Sequence, residues 1–315
     1  MMELQFLGTG AGMPSKERNT TAIVLNMLEE RGTMWLFDCG EATQHRILHT
    51  PIKPRKIDKI FITHLHGDHI FGLPGFLGSR SFLGGTEPLT IYGPAGIREW
   101  VETTIRLSGT HLTYALHIEE VEEGVVFDDE QFTVRAAWLS HVIPCLGYRI
   151  EQKPIAGALQ VEKARELGIP KGPLLGQLKR GEDVTLPNGQ IVRSADVVLP
   201  PKDGATVTIL GDTKYCEAAI SLAQHADIVV HEATFDAETT HLAAQYGHAT
   251  NIEAARVAQE AGAKHLILTH ISARFVGEQV TKLQQQAASV FAKTYIAHDF
   301  AAYRLHDGSV TPLTK

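Results

Sequence analysis

The sequence predicts an α/β fold in which two sheets pack face to face with helices on their outer sides. Apolar runs with strand character recur in both halves of the chain, helical segments lie between them, and a layered arrangement hides such runs on both faces. A chain of 315 residues, 43% hydrophobic, has room for a large core, either in two ordinary domains or in one large layered domain.

The strands are marked by where they end. Residues 34–37 lead to Asp38, 60–63 to His64, 132–140 to His141, 207–210 to Gly211 and Asp212, 228–230 to His231, and 266–269 to His270. Strands joined by crossover helices point their ends to one edge of a sheet, and ligands gather just beyond that edge. The clearest helix is 251–261, opened by a capping-box pattern at Thr250 and Glu253 and stopped by Gly262. One stretch, 152–201, interrupts the pattern with Gly, Pro and charge and reads as an insertion. Within it Lys163, Arg165, Lys171, Lys179 and Arg180 face a single anion, Glu166, making a basic arm on a chain of net charge −7. A solvated surface excursion is the plainer reading of the same residues.

That net charge disfavours a protein that coats nucleic acid non-specifically, but leaves room for a local basic patch. The N-terminus carries no signal-peptide pattern and no stretch approaches membrane-spanning length, so a cytoplasmic protein without membrane contact is expected. Cys39, Cys145 and Cys216 form no C-x-x-C pair and are expected to be reduced core residues. Histidine is plentiful at 16 residues, and imidazole is the commonest ligand for borderline metals.

The strongest signal is Thr63-His64-Leu65-His66-Gly67-Asp68-His69, with three imidazoles and a carboxylate directly after an apolar strand. These spacings cannot put all four side chains on one face of a helix or strand. They must converge from a tight loop, to which Gly67 is expected to give freedom. One divalent ion takes about four ligands, whereas this loop with His141, Asp212 and His270 supplies seven. The surplus implies two ions, with a shared carboxylate holding them roughly 3.5 to 4 Å apart. Taken singly, His141, Asp212 or His270 at a strand end is more often a satisfied core or turn residue; beside the loop, the balance reverses.

His-x-His-x-Asp-His followed by a distant His, Asp and His resembles the metallo-β-lactamase superfamily over essentially the whole chain. The resemblance implies a four-layer αββα sandwich, a single domain over 1–315 with the arm inserted, and two Zn2+ per subunit without a nucleotide cofactor. It assigns His64, His66 and His141 to one zinc, Asp68, His69 and His270 to the other, and Asp212 to both. A bridging hydroxide would be the nucleophile, with Asp68 orienting that water or taking its proton. Asp38 is similar to the family acid that hydrogen-bonds a ligand imidazole.

Further motifs narrow the substrate. Pro14-Ser15-Lys16-Glu17-Arg18-Asn19 matches the Pro-x-Lys-x-Arg-Asn loop of the ribonuclease Z family, the endonucleases that remove the 3′ trailer of precursor tRNA and leave a 3′-hydroxyl. The match implies that Lys16, Arg18 and Asn19 contact RNA. His231-Glu232-Ala233-Thr234-Phe235 and Gly247-His248-Ala249-Thr250 are similar to family motifs in which a His assists departure of the 3′ oxygen. They imply His248 as general acid, with Glu232 or His231 orienting it. Thr269 to Phe275 resembles the final ligand loop, where Ser272 and Arg274 would hold a phosphate. The segment around Lys171, Gly172 and Pro173 resembles the arm that grips tRNA. The short length is similar to the homodimeric form of the family. Two other functions remain open on the same residues: a small-molecule phosphodiesterase or arylsulfatase-like hydrolase, which needs neither arm nor Pro14 loop, and a zinc-stabilised RNA-binding protein without turnover.

Overall fold

A computed structural model describes residues 2–313. Among these, an eight-stranded sheet runs in spatial order Ser309–Leu313, Ala302–His306, Met2–Gly8, Ala22–Met27, Thr33–Phe37, Ile57–Phe61, Leu89–Gly93 and Leu116–Glu120. A seven-stranded sheet runs Thr294–Ile296, Leu266–Thr269, Ile228–Glu232, Thr206–Ile209, Cys145–Gln152, Phe132–Leu139 and Gly124–Asp128. Alternation along Thr33–Phe37 shows how the layers form. Met34 and Leu36 face an outer core shared with helices Leu73–Phe82 and Ile97–Ser108, while Trp35 and Phe37 point to the other side. Tyr148 of the second sheet meets Phe37 and Phe61 there, with ring centroids 6.3 and 5.3 Å apart, and its hydroxyl donates to Ile62 O at 2.7 Å. Helices Asn251–Glu260 and Glu278–Val290 cover the outer face of the second sheet through Ala254, Val257, Leu283 and Ala287. The layers are therefore helix, sheet, sheet, helix: the αββα sandwich of the metallo-β-lactamase fold.

The parallel parts of both sheets bring the predicted strand ends to the sheet edges. Thr33–Phe37 runs parallel to Ile57–Phe61, and Thr206–Ile209, Ile228–Glu232 and Leu266–Thr269 run parallel to one another. Two strands differ from expectation by more than one residue. The strand expected at 60–63 is Ile57–Phe61, ending three residues before His64, and the one expected at 228–230 continues through His231 to Glu232. Helix Asn251–Glu260 carries both capping-box bonds, Glu253 N to Thr250 Oγ1 at 3.2 Å and Thr250 N to Glu253 Oε2 at 2.8 Å. No described helix is long and apolar enough to cross a membrane.

The expected insertion corresponds to a compact unit of its own, residues 151–204 with 129–133. Helices Val161–Glu166 and Pro173–Lys179 and the hairpin of Val184–Thr185 with Ile191–Val192 enclose a small core of Ala164, Ile169, Leu178, Val184, Val192 and Val197. A purely solvated excursion would have no such core.

The Pro14 loop departs from expectation at Arg18. Its side chain is buried, and Nη1 donates to Thr9 Oγ1 and Ala297 O, both at 2.6 Å. Asn19 is also occupied: its backbone N donates to Asp299 Oδ2 at 2.7 Å and its Nδ2 to Glu41 O at 2.7 Å. Asp299 in turn accepts from Thr9 Oγ1 at 2.7 Å and from Arg46 at 2.6 Å. Arg18 is thus corrected from an RNA contact to an internal tie between the N-terminal loop and the last strands, because a cation with this many buried acceptors is worth more inside than out. Only Lys16 of the three stays exposed. Replacement Arg18→Ala is expected to destabilise the fold by about 2–4 kcal/mol, from orphaned acceptors and lost packing, measured by urea unfolding; a change under about 0.5 kcal/mol would contradict the tie.

Candidate metal centre

The ligand-bearing loop is built from an extended stretch and one helical turn. His64 and His66 lie in the extended part, and Gly67–Ile70 then forms a short helix that turns Asp68 and His69 toward them. Gly67 does not supply the backbone freedom expected of it. Its φ is not positive; a Cβ there would lie 2.3 Å from Cε2 of Phe71, whose ring covers the glycine. Asp38 and His270, by contrast, adopt left-handed φ of 54° directly after their strands.

All seven expected ligands converge. His64 Nε2 and His141 Nε2 lie 3.0 and 3.3 Å from His66 Nδ1, and His64 Nε2 lies 3.6 Å from Asp212 Oδ2. A second group closes around Asp68, His69 and His270: His270 Nε2 is 3.2 Å from both His69 Nε2 and Asp68 Oδ2. Asp212 Oδ2 stands between the groups, 3.4 Å from the Nε2 atoms of His69 and His270. Ligand atoms on a tetrahedral zinc with bonds of about 2.05 Å sit about 3.3 Å apart, and these separations match that edge.

The outer nitrogens explain why the inner ones are available. His69 Nδ1 donates to Asp38 Oδ2 at 2.7 Å, His141 Nδ1 to Gly247 O at 2.7 Å, His64 Nδ1 to Thr63 Oγ1 at 3.0 Å and His270 Nδ1 to Thr234 Oγ1 at 2.9 Å. In the neutral ring each such bond fixes a tautomer whose lone pair points inward. Asp38 also accepts from Thr63 N and Thr63 Oγ1 at 2.8 and 2.9 Å, and Asp68 Oδ2 accepts from Gly12 N at 2.7 Å. Thr63, Thr234 and the Gly12 and Gly247 backbones were not among the expected site residues. For Thr234 the signal was its place two residues after Glu232 in a motif already noted.

Electrostatics agree with a cation-binding centre. Burial lowers the pKa of His64, His66 and His141, keeping them neutral. Burial acts the same way on His69, but Asp212 and Asp38 override it and raise His69 well above the usual imidazole range. Burial opposes ionisation of Asp68 and Asp212, yet the surrounding imidazoles hold both below the usual carboxylate range. Neutral imidazoles, ionised carboxylates and several lone pairs turned on common points form a donor set that fits divalent metal.

At the Asp212 end, His248 Nδ1 lies 2.9 Å from Glu232 Oε1, which also accepts from Thr213 N at 2.8 Å; Glu232 Oε2 accepts from Thr234 Oγ1 at 2.6 Å. Burial would lower His248, but the Glu232 carboxylate lifts its pKa to about 9. His231 does not join this group. Successive strand side chains face opposite ways, so with Glu232 inward His231 points away, its Nδ1 bonded to Glu232 O at 2.8 Å. Of the two expected orienting residues, the geometry retains Glu232 and corrects His231. Ser272 is half-buried and accepts from Arg274 Nε at 3.1 Å, while the exposed Arg274 guanidinium stands 4.9 Å from the Phe235 ring centroid. In the inserted unit Lys171, Gly172 and Pro173 are exposed at the start of helix Pro173–Lys179.

A family model described as beta-lactamase superfamily domain matches residues 185–271, and one described as anti-Pycsar protein Apyc1 matches residues 2–153. Ribonuclease Z of Anoxybacillus flavithermus is 56% identical over 304 residues, covering 96% of this chain and 97% of that protein. Ribonuclease Z of Geobacillus kaustophilus is 55% identical over 307 residues, covering 98% of this chain and 100% of that protein. Among solved structures, the short form of human tRNase Z is similar at 31% identity and a TM-score of 0.70, with 95% of this chain and 98% of that one covered. The metallo-beta-lactamase fold protein YhfI from Bacillus subtilis, at 22% identity, TM-score 0.66 and 96% and 98% coverage, shares the fold. On relatives more than half identical along almost their entire length, the chain belongs to the ribonuclease Z family of the metallo-β-lactamase superfamily and is an endoribonuclease.

Proposed function

We propose that this protein is a two-zinc endoribonuclease that removes the 3′ trailer of precursor tRNA and leaves a 3′-hydroxyl on the tRNA, acting as a cytoplasmic homodimer. The observation that carries the reading is the pair of donor groups sharing Asp212, with the His248–Glu232 pair beside it. Homologues named ribonuclease Z support the substrate. His64, His66 and His141 would hold one zinc, Asp68, His69 and His270 the other, and Asp212 both. Bound there, zinc would lower the pKa of water toward neutrality and offset charge developing on the phosphoryl oxygens.

The chain's own groups do the rest. Asp68, held by Gly12 N, is placed to orient the attacking water and accept its proton. Glu232 fixes the His248 ring through Nδ1 and keeps it protonated, so that Nε2 delivers the proton to the departing 3′ oxygen. Thr213 N and Thr234 Oγ1 hold Glu232 in turn. Lys16, Ser272 and Arg274 are the body's proposed phosphate contacts. The inserted unit, a tRNA-binding arm within a single metallo-β-lactamase-like domain, presents Lys163, Arg165, Lys171, Lys179 and Arg180, all exposed, around Gly172 and Pro173. Arg180 is partly committed to Glu182 at 2.8 Å.

Cleavage of a precursor tRNA with a 3′ trailer, with the product end mapped, tests the reading directly. Zinc-loaded protein is expected to cut once at the acceptor end. Asp68→Ala should lose about a thousandfold or more in rate and bind less zinc while still binding the RNA; an unchanged rate would remove Asp68 from the centre. His248→Ala should cost about 10²–10⁴-fold on precursor tRNA but little on a nitrophenyl phosphodiester, whose leaving group departs without a proton. Equal losses on both substrates would argue against general acid catalysis. Replacing Lys163, Arg165, Lys171 and Lys179 together by Ser should weaken RNA binding and flatten its salt dependence by about one unit of slope per lost phosphate contact, while small phosphodiesters are still hydrolysed. An unaltered salt slope would take the arm out of RNA binding.

A further inference from the structure

Close to His248 the chain leaves an aromatic ring in water that the proposed chemistry does not use. Helix Thr240–Tyr246 ends there, and Gly247, in the left-handed region at φ 77°, reverses the chain so that His248 meets Glu232. Tyr246, just before the turn, is 52% exposed. Its ring lies parallel to that of Phe235, with centroids 6.3 Å apart and planes within 3°, and among the described residues nothing bonds its hydroxyl.

The surroundings of this ring are fixed. Phe235 is buried and neighbours both Tyr246 and His248, its centroid 6.1 Å from the imidazole. Val142 meets the turn from His141: a Cβ on Gly247 would lie 2.9 Å from Val142 Cγ1, and His141 Nδ1 bonds Gly247 O. Val142 is itself 60% exposed. One exposed apolar side chain on a surface needs no explanation, but Tyr246 and Val142 flank a single glycine beside the reaction centre. Neither carries charge, so the surface they make suits the flat face of a nucleobase better than a phosphate. Because it is preformed, little entropy is lost when a ligand stacks on it.

We infer that the last base kept on the tRNA, immediately 5′ of the cut, stacks on Tyr246 with Val142 beside it. The inference rests on the tRNA-processing reading and takes its direction from that chemistry. His248 protonates the departing 3′ oxygen, and that oxygen belongs to the last nucleotide of the tRNA. A base is joined to its own 3′ oxygen through a single ribose, so the base of this nucleotide is the one brought to the rings around His248. Tyr246 is then a substrate-binding residue that helps present the oxygen to its acid, with no part in moving the proton.

The test is single-turnover cleavage of two precursor tRNAs, one intact and one abasic at the last tRNA position, by wild type, Tyr246→Ala, Tyr246→Trp and Val142→Ser. The abasic site should cost the wild type roughly five- to a hundredfold, the range of one base–aromatic stack. Tyr246→Ala should lose a similar factor on intact RNA and nothing further on the abasic RNA, while Tyr246→Trp restores the difference. Zinc content and thermal unfolding show whether the fold survives Tyr246→Ala; if it does not, Val142→Ser, outside that helix, carries the same comparison and should shrink the abasic penalty. No abasic penalty in the wild type, or one that the folded variants leave unchanged, overturns the subsite, as does coupling of Tyr246 to the first trailer base instead. In each of these cases the tRNA-processing reading stands. Wild-type protein that leaves intact precursor tRNA uncut overturns both.

Discussion

Asp212 is the residue on which the site's geometry turns. Its carboxylate is buried and lies within 3.6 Å of inner nitrogens on His64 and His69, from one loop, and on His270, from a distant part of the chain. A carboxylate with no water and no cation around it is costly to bury, so the sandwich must deliver partners to this one point. The two sheets do so by ending Ile57–Phe61, Thr206–Ile209 and Leu266–Thr269 close together. The inter-sheet bonds Tyr148 Oη to Ile62 O and Leu146 N to Thr63 O then fix the His64 loop against the second sheet at 2.7 and 2.8 Å.

Precision at the inner nitrogens comes from the groups behind them. Asp38 grips both His69 and Thr63, and Thr63 steadies His64, so two imidazoles assigned to different ions share one support. Thr234 plays the equivalent part on the other side, bonding His270 and Glu232 at once. The left-handed backbone at Asp38 and His270 costs of order 1–3 kcal/mol each, and these hydrogen bonds are what hold it there. In both cases the reversal of the chain immediately after a strand keeps the side chain at the sheet edge.

The seven side chains that converge were legible in sequence because His and Asp cluster there in an unusual density, and because strand ends are marked by apolar runs. Facing and depth were not legible. His231 and Glu232 sit side by side in sequence, and which one turns inward depends on strand parity, fixed only once the strand is seen to run through both. Arg18 looked like a surface cation because it lies in a Pro- and Lys-containing turn; its acceptors, Thr9 Oγ1 and Ala297 O, come from the first and last parts of the chain. Gly67 was read as lending the loop freedom, but its φ is not positive and its surroundings are set by the exposed Phe71 ring above it. The basic character of the insertion was plain, whereas its private core rests on apolar residues such as Ala164, Leu178 and Val192, spaced too irregularly to show a period.

Formal charge bears on how many ions the centre takes. Asp38, Asp68, Asp212 and Glu232 contribute four negative charges, with His248 protonated against them. Without metal, a proton on His69 brings the centre to about minus two, and a phosphodiester carrying its own negative charge would be repelled. One dication displacing the His69 proton leaves the sum at minus one, still repulsive. Two dications would bring it to plus one, which the single negative charge of a bound phosphodiester neutralises. On the proposed function, a loaded centre would give a chain of net charge −7 a local point of attraction for the phosphodiester it cuts.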